Sequence, residues 1–176
     1  MCQLETPLEA TVSALKNFNG FSILNGAPAL KLSDDILQIP NIFCVNEIEA
    51  KEMTGEEIVE ISDARKSIEI LMKKGAQMVI ITLGKLGAAF NINTKIYHGA
   101  VPTPVTAVDT VGAGDAFIGA LAFYIAKFPS SDWFQRIGAS MEIASHSVQF
   151  KGTQTSFVDF PSIDLDSTNY KFEEIL

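Results

Sequence analysis

Residues 78 to 84 read MVIITLG, an apolar run broken only by Thr82 near its end. A strand with one wet face alternates apolar and polar side chains. A strand that does not alternate has to be covered on both faces, as in a parallel sheet flanked by helices. The chain supplies helix and strand candidates in alternation. Pro7 stands where a helix can begin, with Leu8, Val12, Leu15 and Phe18 behind it at helical spacing. FSILN (21–25) and IFCVN (42–46) are further β-type runs, and EIEAKEMTG has helical composition and stops at Gly55. Ser62 and Asp63 open another helix, with Ala64, Ile68, Leu71 and Met72 on one face and Gly75 as its terminator. GAAFNI and KIYHGA read as a hairpin pair. A helix is expected from near Ala113, another from about Asp132 to Phe150, and irregular chain from Thr155 onward. This order predicts an α/β domain with a mainly parallel sheet. The pattern begins with a helix, and QLE before it reads as the stub of a strand, so the sheet is expected to be incomplete at its N-terminal side.

The 176 residues suit one core, and a formal net charge of -8 disfavours nucleic acid or an anionic membrane surface as partner. It does not exclude a small anion, which a few oriented backbone N–H groups can bind. Cys2 and Cys44 make no disulfide or metal pattern, and His98 and His146 have no ligand spacing. The first residues are too polar for a signal peptide, and the run Ala116–Ala126 is too short to span a bilayer. The expectation is a cytoplasmic protein, with the nucleus left open.

In doubly wound sheets, ligands sit beyond the carboxyl ends of strands. The polar residues there are Asn25, Asn46 with Glu49, Thr82 to Gly87, and Asp109 to Asp115. In VDTVGAGDAF (108–117), Gly112, Ala113 and Gly114 let backbone approach a ligand, and a helix opening near Ala113 would aim its N–H groups at a negative charge. Asp115 falls in that first turn, where the helix dipole alone favours an acid. The helix behind it is apolar on every side, which brings the charge near the core, where ionised groups need partners or a task. Neither the P-loop nor the dinucleotide fingerprint is present. TLGKLG (82–87) fits a ligand loop or a simple hairpin turn. Asn46 and Glu49 fit a hydrated Mg²⁺ or a helix N-cap with its capping-box acid.

Together VDTVGAGDAF, TLGKLG, NEIEAKEMTG and the late GTQTS resemble the ribokinase branch of the ribokinase/phosphofructokinase-B carbohydrate kinases, and QLETPLE and NGAPA support that branch. The resemblance implies a ribokinase-like three-layer α/β/α fold and transfer of the ATP γ-phosphoryl group to a sugar alcohol, here the 5-hydroxyl of D-ribose. It makes Asp115 the catalytic base that contacts the sugar alcohol, and Gly112, Ala113 and Gly114 the anion hole. Asn46, Thr82, Leu83, Gly84, Lys85, Leu86, Gly87, Gly114, Asp115 and Met141 then fall on the ATP side. Glu49 would organise Mg²⁺ through water, and Glu5 would hold a ribose hydroxyl. A K⁺ site would be carried by Asp109, Val111, Ser147, Phe150, Gly152 and Ser156. Gly26 replaces the usual proline of NGAPA, and Met141 replaces the usual adenine-side Asn or His.

The resemblance runs from about Gln3 to Ser156 and corresponds to the second half of a family member. The expectation is a single partial domain with the phosphate and catalytic-base machinery. The GGKGAN-type sugar motif, the β-lid and the lid dimer interface are expected to be absent. Such a chain would be a monomer, aggregate, or pair through an exposed sheet edge. Low turnover in isolation is expected, because positioning supplies much of the rate. A non-catalytic isoform that binds nucleotide or a partner chain stays open, as does a sister sugar or nucleoside kinase.

Overall fold

The computed structural model describes residues 1–157, 165 and 170–176. The chain divides into two compact units: residues 1–84, 88–98 and 174–176 form one, and residues 85–87 and 99–173 the other. Six strands lie in sequence order in one sheet: β1 (Ile23–Asn25), β2 (Ile42–Asn46), β3 (Met78–Thr82), β4 (Ala88–Ile92), β5 (Lys95–Gly99) and β6 (Phe172–Glu174). β1, β2 and β3 are parallel, whereas β3 and β4 are antiparallel, with Ile80 opposite Phe90 and Thr82 opposite Ala88. A two-residue turn with Asn93 at φ 53° joins β4 to β5 as the expected hairpin.

In the first unit, α1 (Leu8–Asn17) follows Pro7, and α2 (Asp34–Leu37) is a single short turn. α3 (Glu47–Thr54) and α4 (Ile61–Lys73) pack on each other and on the sheet. α4 buries Ala64, Ile68 and Leu71, as its spacing predicts, against a core that includes Phe43, Val45, Val79 and Ile81. The double-sided cover read from the β3 run is present: Val79, Ile80 and Ile81 have no exposed surface. Each such side chain contributes about 1.5–3 kcal/mol through burial.

Residues 2–4 run beside β1 as the QLE reading expects, with a parallel bridge from Cys2 to Leu24 and Leu4 N–H donating to the Ala27 carbonyl. Gly26, which stands in place of the usual proline, is held by its own backbone bond and by close packing. Its N–H donates to the Cys44 carbonyl at 2.8 Å, a bond proline cannot make, and a β-carbon there would lie 2.6 Å from Val45 Cγ1. Buried Asn91 stitches the far end of β3 to the hairpin. Its Oδ1 accepts from Val79 N–H, and its Nδ2 donates to the Gln77 and Asn93 carbonyls.

In the second unit, α5 (Ala113–Lys127) packs on α6 (Trp133–Ser147). Arg136 of α6 donates to the Phe128 and Pro129 carbonyls just past the end of α5, and its guanidinium lies over Trp133. Helix α6 stops at Ser147 rather than Phe150, and the carbonyl of the next residue, Val148, accepts the N–H groups of Val108 and Asp109. The chain past Thr155 is not irregular throughout. A 3-10 turn spans Gln154–Ser156, and β6 forms with Ile175 N–H on the Ile96 carbonyl; residues 158–164 and 166–169 lie outside the described residues. Among the described residues, no helix is long and apolar enough to cross a membrane.

Candidate active site

In the first unit, Asn46 and Thr82 are direct partners at the carboxyl ends of β2 and β3, so the polar residues that follow these strands start at one level. Asn25 ends β1 opposite Cys44. The NEIE segment forms the capping box that its spacing allowed. Asn46 Oδ1 accepts Glu49 N–H at 2.9 Å, and Glu49 Oε2 accepts Asn46 N–H at 2.8 Å. This cap leaves the Asn46 amide NH₂ and Glu49 Oε1 outside it. Burial pushes the Glu49 carboxyl above its usual range, opposed by the Asn46 N–H and assisted by the Glu47 charge. Glu5 is exposed just after the stretch beside β1.

Among the described residues, no group of three or more acidic, His or Cys side chains could cage a metal. A lone, half-committed carboxylate suits Mg²⁺ held through its own waters, since that ion dehydrates reluctantly and takes few protein ligands. The residues fit that role and do not fit a direct cage.

TLGKLG is both a turn and a candidate loop. It joins antiparallel β3 and β4, and Gly84–Leu86 form a 3-10 turn with Gly84, Lys85 and Leu86 exposed. Leu83 is buried, so only its backbone can face a ligand. Gly87 is packed against the Gly99 carbonyl within the second unit and has no room for a side chain.

In the second unit, α5 opens at Ala113 with Asp115 as its third residue. Helix α5 is not covered on every side. Ala116, Phe117, Ile118, Leu121 and Tyr124 are buried, whereas Gly119, Phe123 and Asp115 are exposed. Asp115 therefore sits on the open side of the helix mouth and not near the core. The glycines flanking Ala113 differ in kind. Gly112 has φ 83°, and a β-carbon there would run into Thr153 Cγ2. Gly114 has ordinary helical backbone, and a β-carbon there would meet nothing within 4 Å. Packing among the described residues does not require glycine at 114, which leaves space beside it for a ligand.

Asp109 is a clasp. Its Oδ1 accepts Val111 N–H and its Oδ2 accepts Gly152 N–H, each at 3.0 Å, and these bonds with the Lys151 charge hold its carboxyl below the usual range. Ser147 and Ser156 are buried, and their hydroxyls donate to the Ala144 and Thr153 carbonyls, which leaves oxygen lone pairs for an acceptor role. Val111 and Phe150 carry no side-chain oxygen, so only their carbonyls can contribute one. One carboxylate, two hydroxyls and backbone carbonyls make an all-oxygen donor set that fits a hard monovalent cation. Met141 is buried, with its methyl beside Gly99, so it packs into the protein and shows almost no surface to a nucleotide. Sequence reading noted GTQTS but missed the contact of Thr153 with Gly112.

A model of the pfkB carbohydrate kinase family matches residues 2–159. The chain belongs to this family. It is 39% identical over 162 residues to a ribokinase of Mus musculus, covering 89% of this chain and 50% of that protein. A ribokinase structure from Thermotoga maritima superposes with a TM-score of 0.77 at 30% identity, over 88% of this chain and 51% of the other. An Arabidopsis thaliana ribokinase, solved with ribose and ATP, shares the fold with a TM-score of 0.80 at 24% identity, over 88% and 50%. The chain spans about half the length of the curated relatives it matches. The ribokinase-like α/β/α fold expected from sequence is thus the fold of this family.

Proposed function

We propose that this chain carries the nucleotide and catalytic-base part of an ATP-dependent ribokinase, which phosphorylates D-ribose at the 5-hydroxyl. The observation that carries the reading is the GAGD turn, with open space at Gly114 and exposed Asp115 in the first turn of α5. Asp115 accepts the proton of the sugar alcohol as its oxygen bonds to phosphorus. The N–H groups at Gly112 and Gly114 face the charge that develops on the transferred group, while the Ala113 N–H donates to the Thr110 carbonyl at 3.2 Å and closes the turn that presents them; preorganised donors of this kind stabilise a transition state strongly. Asn46 and the segments Thr82–Gly84 and Lys85–Gly87 serve nucleotide binding, and Glu5 holds a ribose hydroxyl. Glu49 would hold Mg²⁺ through water. Asp109, Ser147, Ser156 and the carbonyls of Val111, Phe150 and Gly152 would hold K⁺. When bound, Mg²⁺ supplies neutralisation of phosphate charge and K⁺ stiffens the loop ahead of α5.

The test is ribose 5-phosphate formation by the purified chain with ATP, Mg²⁺ and K⁺, alongside Asp115→Asn. The variant is expected to lose about 10²- to 10⁴-fold in turnover, the usual range for a general base, while ATP affinity stays within about twofold. Turnover unchanged in the variant refutes the base assignment. A folded chain that binds no ATP refutes the nucleotide reading.

A further inference from the structure

The loop that leads into α5 is fastened by the segment that follows α6. The Val148 carbonyl takes the N–H groups of Val108 and Asp109, and Asp109 takes the N–H of Gly152. Neither contact reaches the GAG backbone itself. Thr153 does. A β-carbon on Gly112 would run into Thr153 Cγ2 and lie 3.3 Å from both Thr153 Cβ and Phe157 Cζ, so the Thr153 methyl rests against the Gly112 α-carbon. Thr153 is itself held firmly. Its carbonyl accepts the Ser156 hydroxyl at 2.6 Å and Ser156 N–H at 3.1 Å, Ser156 is buried, and Gln154–Ser156 form a 3-10 turn.

We propose that Thr153 is a positioning residue. Its γ-methyl acts as a stop that sets the left-handed turn at Gly112 and thereby the aim of the Gly114 N–H group. This rests on the kinase reading above. The physical ground is tolerance: donors aimed at developing charge act only within a fraction of an ångström, and a misplacement of about 1 Å costs about 10²-fold in rate. Gly112 has no side chain of its own to fix its place, and an αL glycine drifts readily between conformations. An apolar stop on its α-carbon limits that drift without competing for the N–H groups.

Three variants separate methyl from hydroxyl. Thr153→Ala and Thr153→Ser remove the methyl, and Thr153→Val keeps it while removing the hydroxyl. Two readouts are taken on the full chain. The first is hydrogen exchange at Ala113 and Ala116, whose N–H groups close on the Thr110 and Gly112 carbonyls. The second is kcat against KM for ATP. The Ala and Ser variants are expected to exchange about tenfold faster at both amides and to lose about tenfold in kcat, a tenth of the 1 Å penalty, with KM for ATP within about twofold. Val is expected to match the wild type in both. Unchanged exchange in Ala and Ser overturns the proposal, as does a Val variant as impaired as Ala. If the wild type transfers no phosphoryl group, the kinase reading fails, and exchange alone still decides whether Thr153 sets the turn.

Discussion

Gly114→Ala should make the protein more stable and less able to transfer phosphate. Position 114 is the second residue of α5, its backbone is ordinary, and a β-carbon there meets nothing within 4 Å. No steric cost opposes the change, so the gain is the conformational entropy that glycine forfeits on entering a helix, about 0.5–1 kcal/mol. For a chain of this length, that raises Tm by about 1–4 °C. The same methyl fills the space that backbone approach to a phosphoryl group needs, and turnover is expected to fall at least about tenfold, the effect of one misplaced donor contact. Thermal melts followed by circular dichroism, read beside ribose 5-phosphate formation, check both halves. Gly112→Ala is the contrast. It forces a side chain into a φ of 83° against Thr153, costing about 1–2 kcal/mol before any clash, so its Tm should fall. A Gly114→Ala protein with raised Tm and wild-type turnover would refute the argument that ligand approach is what glycine at 114 serves.

Glu49→Gln keeps an acceptor for Asn46 N–H and should leave Tm nearly unchanged, whereas Glu49→Ala removes one cap bond, about 1 kcal/mol, and should lower Tm by about 2–4 °C. If Glu49 organises Mg²⁺, both variants lose the Mg²⁺ dependence of ATP affinity, which calorimetric titration measures. Because burial raises the folded Glu49 carboxyl above its ordinary value of 4.5, the folded state holds the proton longer. This group's contribution is therefore fully present below that value and lost as pH rises through the raised one; urea titrations from pH 4 to 7 should show this in the wild type and not in Glu49→Gln. Asn91→Ala strands the buried Val79 N–H and frees the Gln77 and Asn93 carbonyls of exposed residues, and should cost about 1–3 kcal/mol in chemical denaturation. Ser67→Ala should stabilise by about 1 kcal/mol, since Ser67 Oγ is buried without a hydrogen-bond partner among the described residues; a lower denaturation midpoint would refute this.

The helix–strand alternation, the buried faces of α4 and β3 and the GAGD turn at the head of a helix were legible because each depends on spacing within a few residues. The Asn46–Glu49 pair was legible only as an alternative: a cap and a metal-organising acid use the same residue types three apart, and the hydrogen bonds show the cap formed with one carboxylate oxygen to spare. The exposure of Asp115 was not legible. An all-apolar composition does not say which face of α5 meets α6, and Phe123 and Gly119 turn out to face away from cover. β6 escaped because FEE carries no apolar alternation and becomes a strand only by bonding beside β5, some 75 residues earlier in the chain.

Local chemistry thus determined which residues could cap a helix, bare a backbone or bury a strand, since those properties belong to a residue and its near neighbours. Tertiary structure decided what the glycines are for. Gly112 and Gly114 are equivalent in the sequence, but Thr153 presses on one and open space lies beside the other. Only a contact made across 41 positions of chain can tell them apart.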